Sequence, residues 1–164
     1  MLPIVLALET VSVGLAGAGE GRARREALLA EAGVSPVLVG ENGVLPDVRV
    51  LFIAGLDREA SAALAGRAHD AGILVNVEDV PEFCDFHVPA IVRRGDLMLT
   101  ASTGGRAPGL ARRLREWLQE RFGPEWTMRL EDVSQARATW RADGLPPVEV
   151  AKRTREMISE KGWL

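Results

Sequence analysis

Residues 11–17, VSVGLAG, form a short apolar run with β-branched residues at alternate positions, and the mixed run EGRARREALLAEAG that follows closes on Gly33. This predicts a strand, a glycine turn and a helix. PVLVG at 36–40 predicts a second strand, and VRVLFIAG at 48–55 a third, continuous enough to be buried on both faces. Asp57 can then cap a helix through REASAALAGRAHDAG, whose Ala60, Leu64 and Ala68 line one face before Gly72 ends it. ILVNV is the fourth strand and, after EDVPEFCDF and VPAIVRRGD, LMLTAS is the fifth. From Pro108 to Phe122 a helix is predicted with Leu110, Leu114, Trp117, Leu118 and Phe122 on one side and its arginines largely on the other.

Strands alternating with helices predict an α/β fold, a Rossmann-like doubly wound parallel sheet with right-handed crossovers and a ligand at the carboxyl ends of its strands. The chain from Gly123 has no strand pattern. Trp126, Leu130, Val133, Ala136 and Trp140 fit one helix face, and PPVEVAKRTREMISEKGWL begins another helix. Two helices bury little alone, and Trp126, Trp140 and Trp163 all lie here, as expected of an interface. The region should pack on the sheet domain or on a second copy of the chain.

At 164 residues the chain suits one core of ordinary size, and its 47% hydrophobic and 26% charged residues are those of a globular protein. A formal charge of -3 argues against general nucleic-acid binding. The opening MLPIVLAL stops at Glu9 without a basic leader or cleavage pattern, so it reads as neither signal peptide nor membrane span, and a cytoplasmic address is expected. A single cysteine, Cys84, excludes an internal disulfide and multi-cysteine metal cages. Charge is uneven: Arg93, Arg94, Arg106, Arg112, Arg113, Arg115 and Arg121 face only Asp96, Glu116 and Glu120 between residues 93 and 121. They read either as a solvated helix face or as a local site for a polyanion, which the arginine fork suits.

Two glycine turns carry candidate chemistry. GAGEGR supplies the first two glycines of the dinucleotide fingerprint, Gly17 for the turn and Gly19 for close approach of a pyrophosphate, but puts Arg22 at the third position, where bulk weakens the helix-to-strand fit. Glu41, beyond the second strand, is the acid expected at a ribose 2'-hydroxyl, which favours NAD over NADP. In STGGRAPG, Gly104 and Gly105 permit positive φ and Pro108 suits a first helical turn; Arg106 has no such structural reason. His87 reads as a hydrogen-bonded pocket residue and Cys84 as core, and no metal site is expected.

LPIVLAL before the first strand, the glycine turn followed by Arg24 and Arg25, and above all GILVNVEDVPEFCDFHVPAIVRRGDLMLTASTGGRAPGLARRLREWL resemble the precorrin-2 dehydrogenase family, the siroheme synthase N-terminal module. The resemblance implies NAD-dependent oxidation of precorrin-2, a tetrapyrrole with eight carboxylates, to sirohydrochlorin. In some members ferrous iron is then inserted as a substrate at the same site. It implies three regions: a dinucleotide-binding domain at 1–88, a strand, Gly-Gly turn and helix lining the tetrapyrrole site at 89–122, and a helical dimerisation region at 123–164. A homodimer follows, with no nucleic-acid or membrane partner. The aspartate of N-V-x-D, Asp79, carries the chemistry, its alternative role being a cap for the turn at VPEF. NAD falls to Gly17, Ala18, Gly19, Glu20, Glu41, Asn42, Ala54 and Gly55. The tetrapyrrole falls to Asn76, His87, Pro89, Ser102, Thr103, Gly104, Gly105 and Arg106. Arg22 in place of a small residue, Gly55 and Leu56 in place of polar family residues, and Ala107 in place of serine depart from the pattern and bear on NAD affinity. They leave open a non-catalytic binding module, or a chelatase without dehydrogenase activity.

Overall fold

The structure, a computed structural model, describes residues 2–164, so the first residue of the opening apolar run lies outside it. Contacts divide the chain into two compact units, the first ending at Val88 and the second spanning Pro89–Leu164.

The first unit contains β1 (Val13–Gly17), α1 (Gly19–Glu31), β2 (Val37–Val39), β3 (Val50–Ala54), α2 (Arg58–Asp70) and β4 (Leu74–Val77). All pairings are parallel, in the order β2-β1-β3-β4. Strand side chains alternate between faces, so β1 and β3 feed two cores. Val13, Leu15, Val50 and Phe52 pack with Leu29 of α1, and Ala16, Leu51, Ile53, Val75 and Val77 pack with Leu64, Ala65 and Ala68 of α2. This is the expected doubly wound, Rossmann-like sheet. From β1 the chain moves one way to β2 and the other way through β3 to β4, so the order reverses between β1 and β3 and opens a crevice at their carboxyl ends. Asp57 caps α2 as expected, its Oδ1 accepting from Ala60 N at 2.8 Å.

The outer edge of β4 is closed by the segment that follows it. Asp85 accepts from Val75 N at 2.8 Å and donates its own N–H to Val75 O at 2.8 Å, while Cys84 Sγ lies 3.2 Å from both Val77 N and Val77 O. An open row of strand N–H and C=O groups invites pairing with another chain; here the Asp85 backbone N–H and the side chains of Asp85 and Cys84 satisfy it.

The second unit corrects one expectation. LMLTA is not a fifth parallel strand: β5 (Ala90–Arg94) and β6 (Leu97–Ala101) form an antiparallel two-stranded sheet of their own. A parallel neighbour is usually reached through a crossover helix, and between β4 and β5 the only helical element is a single 3-10 turn, Pro81–Phe83. A two-residue turn, Gly95-Asp96, joins β5 to β6, with Gly95 at φ 58°, the sign a tight hairpin requires.

Three helices complete this unit, α3 (Pro108–Arg121), α4 (Trp126–Ala142) and α5 (Pro147–Glu160). Arg94 ends α3: its Nε donates to Phe122 O at 2.7 Å and its Nη2 to Gln119 O at 3.3 Å. Trp126 and Trp163 hold the Arg129 guanidinium at 4.9 and 5.4 Å from their ring centroids, so these two rings work inside the unit. Of the apolar stripe on α3, Leu118 is half-buried but Leu110, Leu114 and Trp117 stay 55%, 40% and 53% exposed. No helix among the described residues is long and apolar enough to cross a membrane.

Candidate functional site

At the crevice between β1 and β3 the backbone is packed so closely that side chains are excluded. A β-carbon on Gly17, at φ 129°, would stand 1.7 Å from Ala54 O, and one on Gly55, at φ 72°, would stand 2.1 Å from Ala18 O. Ala18 N donates to Ala54 O at 3.2 Å, tying the two strand ends together. Gly19 differs: at φ 57° it also requires glycine, yet nothing lies within 4 Å of its missing β-carbon. Its open side adjoins the first turn of α1, whose N–H groups no intrahelical carbonyl can satisfy and which no side chain caps. Free donors at the positive end of a helix fit a pyrophosphate.

The third glycine role falls elsewhere than the fingerprint predicts. Gly21 is buried, and a β-carbon there would meet Glu78 Oε2 at 2.6 Å and the N and Cα of Gly55 at 2.8 and 2.9 Å. The tight helix-to-strand contact is therefore made at position 21, so the misfit expected of Arg22 does not arise. Glu20, Glu41 and Asn42 are exposed, whereas Ala54 is buried at the end of β3.

The end of β4 gathers charge that pattern reading missed. Glu78, whose side chain is 20% exposed, lies 3.5 Å from Arg24. Arg25 lies 5.0 Å over the Phe52 ring. Burial pushes Arg25 down from its usual range, opposed chiefly by the negative charge of Glu78 and more weakly by that of Asp79. The signal was present in the acidic pair Glu78-Asp79 and the basic pair Arg24-Arg25. Asp79 is exposed and sits at φ 60°, the one non-glycine residue with positive φ among the described residues. No side chain caps the Pro81–Phe83 turn, so Asp79 does not act as its cap. Left-handed backbone costs an L-residue about 1–2 kcal/mol, least for Asp and Asn, and such strain concentrates at functional positions.

Asn76 is 5% exposed, its Nδ2 donating to Phe86 O at 2.9 Å and its Oδ1 without a partner, so it fixes the segment after β4 from within. His87 is exposed and its ring makes no hydrogen bond among the described residues, contrary to the expectation of a bonded pocket residue. Cys84 is half-buried on the β4 edge, and desolvation pushes its thiol up against the lowering effect of the Val77 hydrogen bond.

Pro89 opens the second unit, which also carries the other glycine turn. Gly104 and Gly105 adopt φ 63° and 76°, as their sequence predicts. Thr103 closes the turn: its Oγ1 accepts from Ala107 N at 3.2 Å and its carbonyl from Arg106 N at 3.2 Å. Ser102 Oγ accepts from Gly104 N at 3.3 Å, and Ser102, Gly105 and Arg106 are exposed. The arginine run splits into roles. Arg94 is an internal cap, Arg113 pairs with Glu116 at 3.1 Å, and Arg115 Nε is buried without a hydrogen-bond partner. Arg93, Arg106, Arg112 and Arg121 remain exposed.

The candidate dinucleotide residues thus share one unit with Asn76, Asp79 and His87, while Ser102 to Arg106 belong to the other. Among the described residues no group of three or more His, Cys, Asp or Glu side chains is placed to hold a metal. An open depression of about 510 Å³, lined by Leu6, Ala7, Leu8, Glu9, Ala32 and Gly33, lies at the far end of α1 from the glycine turn. Thirteen residues of helix put roughly 20 Å between them, so it is not part of this site.

Residues 41–90 match a family model described as "Putative NAD(P)-binding". The chain is 34% identical to the siroheme synthase of Methylococcus capsulatus over 74% of its own length and 31% of that protein's. It is 30% identical to the siroheme synthase of Tolumonas auensis, with 99% of this chain and 42% of that one covered. The chain therefore spans less than half the length of these curated relatives. Among solved structures it resembles "SirC, precorrin-2 dehydrogenase" with a TM-score of 0.74 at 19% identity, covering 96% of this chain and 89% of the other, a likeness of fold. These likenesses, with the glycine cradle at the β1/β3 reversal and the block from Gly72 to Leu118, show that the chain belongs to the precorrin-2 dehydrogenase and siroheme synthase N-terminal module family.

Proposed function

We propose that this chain is an NAD-dependent dehydrogenase that oxidises precorrin-2 to sirohydrochlorin. The observation that carries the reading is the glycine cradle: Gly17 and Gly55 sealed against backbone, Gly19 open, and an uncapped helix N-terminus beside it. Bound there, the dinucleotide would accept a hydride from the macrocycle. The two-electron oxidation also releases a proton, for which Asp79 is the proposed acceptor: it is exposed, unencumbered by a capping role, and held in a conformation aspartate does not choose for itself. Asn76 holds the segment bearing His87 and Pro89. Gly104 and Gly105 keep the second turn free of side chains, and Ser102, Thr103 and Arg106 would contact the substrate, with Arg93 and Arg112 adding charge for its carboxylates. The same carboxylate of Asp79 would take pyrrole protons if ferrous iron is inserted. The exposed stripe of Leu110, Leu114 and Trp117 supports a homodimer.

A second reading, a tetrapyrrole-binding module or chelatase without dehydrogenase activity, is favoured by Glu78, which places a carboxylate against Gly21 in the first turn of α1, where pyrophosphate charge is expected. Anaerobic incubation of the protein with precorrin-2 and NAD separates the two. The dehydrogenase forms sirohydrochlorin and NADH one for one. Tight sirohydrochlorin binding with no NADH formed would establish the second reading instead.

A further inference from the structure

Beyond the glycine turn, the structure places an unassigned cation at the one loop where a dinucleotide's two adenosine forms differ. The loop after β2 carries Glu41 and Asn42 and is closed on itself by Gly43 N donating to Gly40 O at 3.1 Å. From α2, Arg67 reaches across to it. Its Nη1 donates to Glu41 O at 2.8 Å and its Nη2 donates to Gly43 O. Arg67 is half-buried, so its guanidinium is held between helix and loop. A planar fork that binds two carbonyls of one turn fixes the turn's orientation as well as its position, which a single donor cannot do.

We infer that Arg67 is a positioning residue for dinucleotide selectivity: it anchors the loop so that the Glu41 carboxylate is held against a ribose 2'-phosphate, and thereby sets the preference for NAD over NADP. This rests on the reading of the first unit as a dinucleotide site. The physical alternative is the opposite. A guanidinium near the ribose can attract a 2'-phosphate and so favour NADP. The hydrogen bonds favour the first, because they aim one N–H of each terminal nitrogen at a loop carbonyl and so fix the guanidinium against the loop backbone. A carboxylate on an unanchored exposed loop would swing away from an incoming phosphate, and water would screen what repulsion remained.

The test is calorimetric titration of the full-length protein with NAD and with NADP, comparing wild type, Arg67→Ala, Arg67→Lys, Glu41→Gln and the double variant Arg67→Ala/Glu41→Gln. The readout is the ratio of the NADP to the NAD dissociation constant. A fixed carboxylate a few ångströms from a phosphate at high effective dielectric predicts a wild-type ratio of about 10. Glu41→Gln should bring it close to about 1, and Arg67→Ala should lower it about threefold. Lysine, keeping the charge and one donor, should restore part of the ratio. In the Glu41→Gln background, Arg67→Ala should change the ratio no further, the mark of a residue acting through another. If Arg67→Ala weakens both dinucleotides equally, Arg67 is only structural and the inference falls. If the ratio rises, Arg67 attracts the phosphate directly, and it also falls. If the folded wild type binds neither dinucleotide, the dinucleotide reading of the unit fails and takes this inference with it.

Discussion

The same substitution, glycine to alanine, should have opposite effects at two positions of this fold. Both Gly21 and Gly66 lie within helices, where replacing glycine by alanine relieves about 0.5–1 kcal/mol of backbone entropy. At Gly66 nothing lies within 4 Å of the new β-carbon, so Gly66→Ala should stabilise by that amount. At Gly21 the new carbon would stand 2.8 and 2.9 Å from the backbone of Gly55. Glu78 can swing aside at the cost of its 3.5 Å pair with the largely exposed Arg24, worth under about 1 kcal/mol. Gly55 cannot retreat so readily, because the adjoining strand ends are tied by the Ala18 to Ala54 hydrogen bond. Overpacking of this kind costs about 1–3 kcal/mol, which exceeds the propensity gain. Gly21→Ala should therefore destabilise by about 1 kcal/mol, lowering Tm by roughly 2–4 °C in a chain of this size. All four tryptophans, Trp117, Trp126, Trp140 and Trp163, lie in the second unit, so urea melts must be followed by far-ultraviolet circular dichroism. Gly21→Ala equal in stability to Gly66→Ala would refute the assignment of position 21 as the tight contact.

Other substitutions test other parts of the argument. Asp79→Asn should leave unfolding unchanged and lower the turnover of precorrin-2 by about 10² to 10⁴, whereas Asp79→Gly should abolish turnover yet stabilise the fold by up to about 1 kcal/mol; a wild-type rate for the asparagine variant would remove Asp79 from the chemistry. Arg106→Ala should weaken sirohydrochlorin binding by about 1–3 kcal/mol in equilibrium titrations while sparing turnover at saturation, and unchanged affinity would exclude a charge-assisted contact. Arg94→Met, which strips donors from the end of α3, should lower the stability read from the tryptophan-detected urea transition by about 1–3 kcal/mol. Because burial raises the Cys84 thiol, the unfolded chain loses that proton first, so its contribution to stability is fully present below about pH 8.5 and declines as pH climbs toward the folded value. Alkylation of native Cys84 at pH 8 should accordingly run slower than that of the urea-unfolded protein, and equal rates would contradict its burial.

The four parallel strands were legible because each is an apolar run bounded by glycine or by a capping residue, and β3 is buried at every position. The hairpin was not, although its signal was present in RRGDL: the alternation of strands and helices elsewhere encouraged a fifth parallel strand, while the absent crossover helix argued against it. Tryptophans in the C-terminal helices read as an interface, yet Trp126 and Trp163 stack on Arg129 within their own unit. Sequence spacing puts residues on a face but does not say which neighbour takes that face. Arg94 shows the same limit, since its run of basic neighbours suggested an anion site and its fork caps a helix instead.

The departures around the first glycine turn looked like separate losses in the sequence: Arg22 for a small residue, and Gly55 for a polar one. In the fold they belong to one arrangement. Gly55, at φ 72°, lets the end of β3 lie against the start of α1, which leaves room for no β-carbon at position 21. Glu78 Oε2 comes within 2.6 Å of the place where that carbon would be. Restoring a polar side chain at 55 alone would drive a β-carbon to within 2.1 Å of Ala18 O, and adding bulk at 21 alone would displace Glu78 and press on Gly55. The two glycines are tolerable only together, so a reversion at 55 alone toward the family pattern should damage this unit rather than repair it. The turn is close-packed around Gly21 and Gly55, and the Glu78 carboxylate beside Gly21 should lower its affinity for an anion, an effect that Glu78→Gln should reverse.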